Sequence, residues 1–194
     1  MKYANRVSFL VLAACLVAPA VSHADATTFV VGADGKSSAT FVSDAPLETM
    51  KGTSKKVSGT LSVDPSDITQ TSGELKCSVK SMKTGNDLRD EHLQGDGWLD
   101  AKKNPFVHFA IKEVVLGKKG NKELKEGKDV KVEVKGDFTA HGITKPVTAK
   151  GTVKWSGNTI RVKAGFPVVL TDHNISVPSI VRLKVANEIQ VSVD

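Results

Sequence analysis

The densest group of ionisable side chains is Asp87, Arg89, Asp90, Glu91 and His92, five of six consecutive positions. On an α-helix Asp87 and Glu91 share one face, Leu88 and His92 another, and Arg89 can meet His92 or turn back to an acid. Acid–base or metal chemistry would need these groups to converge on one point, whereas Glu91 and His92, being adjacent, diverge. The pattern favours a charge-paired helix docked by its apolar residues. His108, His141 and His173 match no metal-ligand spacing. The chain has no Gly-x-Ser-x-Gly turn, no phosphate loop and no dinucleotide fingerprint. These residues predict a protein that is not an enzyme, with no metal and no cofactor.

The charged cluster lies in the one helical stretch of the sequence. Asn86 is a helix N-cap, and Asp87 and Asp90 place negative charge where the helix dipole favours it. Leu88 and Leu93 supply apolar contacts, and Gly95 and Gly97 supply stops. Trp98 and Leu99 follow as an apolar pair, and Asn104-Pro105 turns the chain into a strand. One short helical insert is therefore expected at residues 86–99, closing one end of whatever surrounds it.

What surrounds it alternates with period two. Val130, Val132, Val134, Phe138 and Ala140 interleave with Lys131, Glu133, Lys135, Asp137 and Thr139. Val147 to Trp155 and Ile160 to Leu170 repeat the pattern, with His141-Gly142 and Ser156-Gly157-Asn158 as tight turns. Strands are also expected at 28–31 (before the Asp34-Gly35 turn), 37–44, 57–63, 73–82, 106–116 and 183–193. Pro46 to Ser54, polar and holding Gly52, reads as a loop or bulged edge, and Gly117 to Gly127 as a solvated hairpin loop. Short hairpins and small inward residues (Gly59, Gly136, Ala149, Gly151, Ala164) predict an all-β fold, an eight-stranded antiparallel up-and-down barrel with space inside for one ligand.

Residues 1–24 read as a cleaved secretory leader: Lys2 and Arg6, an apolar run from Val7 to Val21, then Ser22-His23-Ala24 before Asp25. A lipobox reading of Leu12-Ala13-Ala14-Cys15, with Cys15 lipidated, fits less well because Leu16 and Val17 follow it. Residues 25–194 form the expected single domain, periplasmic or secreted. Without Lys2 and Arg6 the formal charge falls from +6 to +4, 25 basic side chains against 21 acidic. Lysines recur on nearly every strand, as on a solvated face, and no basic cluster interleaved with aromatics suggests nucleic acid. A loose attraction to anionic membrane surfaces stays open. Cys77 alone remains after the leader, so no intramolecular disulfide forms, and its parity with Leu75 and Val79 points it inward.

Two blocks of the sequence resemble the YceI-like family. They are Thr84-Gly85-Asn86-Asp87-Leu88-Arg89-Asp90-Glu91-His92-Leu93 with Trp98-Leu99-Asp100, Asn104-Pro105 and Phe109, and then Gly136 to Val147 (GDFTAHGITKPV). The resemblance implies a small secreted lipocalin-like β-barrel that holds a polyisoprenoid chain, in some members a quinone tail. It implies an apolar lipid as partner, a bound isoprenoid or quinone as ligand, and a binding protein in place of an enzyme. The residues expected to line the tunnel are Phe41, Leu61, Leu75, Val79, Trp98, Phe109, Ile111, Val132, Phe138, Val153, Phe166 and Val168. The alternative is an envelope interaction protein with no lipid, using loop 117–127 or 171–180. The oligomeric state is open, a homodimer included. The sequence departs from the family after Phe41, where Asp44, Pro46 and Glu48 stand in place of a frequent His, and at Thr171 to Pro178.

Overall fold

The computed structural model describes residues 26–32, 35–117 and 120–194. The expected leader, Cys15 included, and part of the Asp34-Gly35 turn lie outside the described residues. Ten strands form one antiparallel sheet: β1 Thr27–Val31, β2 Ala39–Asp44, β3 Thr49–Ser54, β4 Val57–Val63, β5 Ser72–Ser78, β6 Phe106–Leu116, β7 Asp129–Ala140, β8 Ile143–Ser156, β9 Thr159–Val169 and β10 Glu188–Val193. One α-helix, α1, spans Asp87–Gln94.

The all-β expectation holds, with two corrections. There are ten strands, not eight, and their order is not purely up-and-down. β4 to β10 form a sequential meander, but β1 is added beside β4, and β2 with β3 beside β10, giving the order β1-β4-β5-β6-β7-β8-β9-β10-β2-β3. The result is a curled half-barrel. Its two ends are joined by the chain itself, because β3 runs through Lys55-Lys56 directly into β4. Thr53 and Lys83 exchange two backbone hydrogen bonds of 2.8 Å across the same seam.

The stretch expected as a loop or bulged edge, 46–54, contains the edge strand β3. Its polar face belongs to an edge strand, where solvent replaces a neighbour, and Gly52 stands directly opposite Phe41. A Cβ at Gly52 would sit 2.0 Å from the Phe41 ring, so the glycine makes room for the aromatic that covers it. β5 ends at Ser78, and Val79–Ser81 is a 3-10 turn. The last strand starts at Glu188, not 183, since Ser179–Val181 is also a 3-10 turn.

Alternation becomes burial as expected. On β7 Val132, Val134, Gly136, Phe138 and Ala140 are buried while Lys131, Glu133 and Lys135 are exposed. The curl is tightest where β4 meets β5. Gly59 (φ 155°) stands opposite Leu75 and Gly73 (φ 139°) opposite Leu61. A Cβ at Gly59 would lie 2.1 Å from the Glu74 carbonyl oxygen, and one at Gly73 2.1 Å from that of Thr60. Only glycine combines that φ with that approach.

α1 begins as expected: the Asn86 side chain accepts the Arg89 backbone N–H at 3.0 Å. It is held by a buried carboxylate more than by its leucines. Asp90, 3 % exposed, accepts the Thr84 N–H and hydroxyl at 2.7 Å each and pairs with Lys83 Nζ at 3.3 Å. Burial disfavours the ionised form, but the Thr84 hydrogen bonds and Lys83 outweigh it and hold the Asp90 carboxyl below its ordinary 3.8. Leu88 is 63 % exposed, so only Leu93 of the two leucines docks the helix.

Gly73→Val should lower stability by about 3 kcal/mol or more through strain and overpacking. Gly97→Ala, where nothing lies within 4 Å of the new Cβ, should stay within about 0.5 kcal/mol. Urea unfolding of both variants checks this. For Asp90 the folded-state value is the depressed one, so its stabilisation is complete above pH 3.8 and is lost as pH falls through the folded value. Trp98 fluorescence in a Trp155→Phe background should report α1 loosening only below that pH. Asp90→Ala should undock the helix at neutral pH, whereas Asp90→Asn should keep it docked without the acid step.

Candidate ligand-binding site

The inward faces of the curled sheet do not fill the space they enclose. A chamber of about 130 Å³ lies between β4–β9 and β10. Eight of the twelve expected lining residues meet there. Leu61, Leu75, Phe109 and Ile111 form one side, and Val132, Phe138, Val153 and Phe166 the other. Phe166 anchors an aromatic wall, its ring 5.5 Å from Phe109 and 5.2 Å from Phe138. The lining is apolar apart from Thr71, Lys76, His108 and Ser192.

A second chamber, about 110 Å³, lies above it and collects Phe41, Trp98 and Val168, with Phe138 again. Ala39, Cys77, Val107, Phe138 and Val191 line both chambers, so the two abut across a waist of five side chains. Val79 is the exception among the expected residues. It is fully buried but lines neither chamber, because β5 has ended one residue earlier and the 3-10 turn breaks the parity the sequence suggested.

Trp98 reaches the second chamber because the chain doubles back after α1. Gly95 caps the helix, Trp98 N–H donates to Gly95 O at 3.1 Å, and Leu99 N–H to Leu93 O at 3.1 Å. Buried Asp100, at φ 46°, accepts from Lys103 and completes the turn. Sequence reading missed the roof of this chamber, Leu170 and Ile175, which with Val177 form their own buried cluster packed against Trp98. The apolar spacing of those three residues within a polar segment was the available signal.

The second chamber opens outward into a depression of about 310 Å³, with which it shares Phe41, Met50, Leu93, Trp98 and Val185. Here the wall turns polar: Glu48, Thr84, Asn86, Arg89, His92 and Lys184 face it. Arg89 pairs with Glu48 at 2.9 Å. The charged cluster thus disperses: Arg89 and His92 face the depression, Asp90 points beneath the helix, and Asp87 and Glu91 are exposed. Among the described residues no three His, Cys, Asp or Glu side chains stand where they could hold one metal ion. His141 and His173 meet, but His108 sits apart on β6 against Phe106. Cys77 lies at the waist, and burial pushes its thiol up despite a hydrogen bond from Ser54, which suits an inert wall group. Among the described residues five large apolar side chains, Val30, Leu47, Leu88, Ile180 and Leu183, are more than half exposed, and all but Val30 lie at or near the depression. Leu88 lines the depression, Ile180 and Leu183 flank its wall residues Val181 and Lys184, and Leu47 is tied to Leu183 by a 2.8 Å backbone hydrogen bond.

The chain is similar in sequence to a UPF0312 protein of Vibrio cholerae, 33 % identical over 123 residues. That match spans 60 % of this chain and 58 % of the relative, so the chain covers less than two thirds of the curated protein's length. In structure it is similar to BcnA of Burkholderia cenocepacia, with a TM-score of 0.69 at 26 % identity, covering 81 % of this chain and 94 % of that one. It also shares the fold of a polyisoprenoid binding domain from Saccharophagus degradans, with a TM-score of 0.64 at 16 % identity, covering 86 % and 94 %. The YceI-like domain model matches residues 31–194, which takes in β2 to β10, both chambers and the depression above them, and the chain belongs to that family.

Proposed function

We propose that this chain is a non-enzymatic carrier of a long apolar lipid, a polyisoprenoid or isoprenoid-quinone, whose tail lies in the first chamber and whose head lies in the second, beside the depression. The observation that carries this reading is the pair of abutting apolar chambers inside the sheet, walled by side chains and not filled by them. Each CH₂ moved from water into such a wall is worth about 0.8 kcal/mol, so a multi-unit isoprenoid offsets the cost of being held. The polyisoprenoid binding of the Saccharophagus degradans domain points to the same ligand class. Exposed Leu47, Ile180 and Leu183 beside the opening give a lipid an apolar path on and off. With the expected leader at 1–24, the place of action is the cell envelope.

The exposed apolar side chains also favour a second reading, an empty barrel that engages a protein partner through the 171–185 side. Organic extraction of the natively produced protein followed by mass spectrometry separates the two. A stoichiometric isoprenoid lipid is expected. A clean protein that also refuses added prenyl lipid would sink the carrier. Ala164→Trp and Val153→Trp, which fill the first chamber, should reduce lipid occupancy by about tenfold or more. Circular dichroism of both variants should still show the β-fold.

A further inference from the structure

His173 is the most buried ionisable side chain of the described residues, 1 % exposed, and it lines the second chamber, whose other polar lining residues are Thr40 and Ser43. Its position is fixed from two sides. Its Nδ1 lies 2.9 Å from the Ile143 carbonyl oxygen, and its own carbonyl oxygen lies 3.1 Å from His141 Nδ1. Phe138 packs against the ring at 5.5 Å and 83°. The 3-10 turn Leu170–His173 is thereby clamped to the β7–β8 turn.

That geometry sets which nitrogen carries hydrogen. A carbonyl oxygen only accepts, so Nδ1 is the N–H donor to Ile143. No carboxylate lies within ion-pair distance of the ring among the described residues, and in the imidazole whose Nδ1 carries the hydrogen Nε2 is a bare acceptor. Among the described residues every side-chain nitrogen or oxygen sealed away from open space has a hydrogen-bond partner, and Nε2 has none there. Nε2 therefore borders open space, and the space that His173 lines is the second chamber. Ser43, 1 % exposed, lines the same chamber; its oxygen accepts the Ala186 N–H at 2.9 Å, which leaves its hydrogen to give.

We infer that the second chamber selects a ligand bearing a hydroxyl group, a prenol or a reduced quinol, which donates to His173 Nε2 and accepts from Ser43. A quinone carbonyl, an aldehyde or an ether can only accept. It serves Ser43 but leaves Nε2 dehydrated and unpaired, the situation in which a binding site discriminates most strongly. This inference rests on the carrier reading, and it adds the head-group chemistry that tail burial leaves unspecified.

The test compares geranylgeraniol with its methyl ether and its aldehyde, three probes with one tail, binding to the lipid-stripped protein and followed by calorimetry. The prenol is expected to bind tighter than either by about tenfold or more. In His173→Phe that ratio should collapse toward one. Equal affinity of the unaltered protein for prenol and ether would overturn the head-group inference while leaving the carrier standing. Binding of none of the three would overturn both. Should His173→Phe fail to fold, the three-probe comparison on the unaltered protein decides alone.

Discussion

The structure depends on a sheet curled until its inward side chains meet at the wall but not in the middle. Protein interiors normally pack as densely as organic crystals, and empty apolar volume costs about 24 cal/mol per Å³. Chambers of about 130 and 110 Å³ therefore hold on the order of 6 kcal/mol that an apolar occupant could return. The curl comes from pairing large inward residues with glycine: Phe41 opposite Gly52, Leu61 opposite Gly73, Leu75 opposite Gly59. Each such pair draws two backbones together while keeping one bulky side chain for the wall. Wall and cavity have the same origin.

The helix acts as part of this wall and not as a reactive element. Its charges are used in holding position: Asp90 on Thr84 and Lys83, Arg89 on Glu48. Asp90 ties α1 to the segment that follows β5, and the turn after α1 carries Trp98 into the second chamber. A cluster that looks catalytic by composition is, in three dimensions, the hinge side of a cover.

What the sequence made legible was whatever alternation controls. β7, β8 and β9 were readable because both faces of each strand have one chemistry, and α1 because its cap residue and acidic first turn are local. Eleven of the twelve expected wall residues line one chamber or the other for the same reason. Val79 failed because parity cannot report where a strand stops. β3 stayed open between loop and edge because an edge strand can be largely polar, and the reason for Gly52 lies in Phe41 opposite it on β2. The acceptor role of His173 depends on Ile143, thirty residues away, and no local pattern encodes it.

The strand order has a consequence for when the cavity comes into being. β10, the last strand made, sits between β9 and β2, and Ser43 bonds Ala186 across 143 residues of chain. The meander from β4 to β9 can zip between neighbours as it emerges, but the β2–β3 hairpin has no other strand to pair with until β10 arrives. The closing contacts are at the very end: Asp194 and Ser38 exchange backbone hydrogen bonds of 2.7 and 2.9 Å, and Arg161 grips the Asp194 carboxylate. A growing or threaded chain thus has no enclosed interior until β10 has joined β9 to β2.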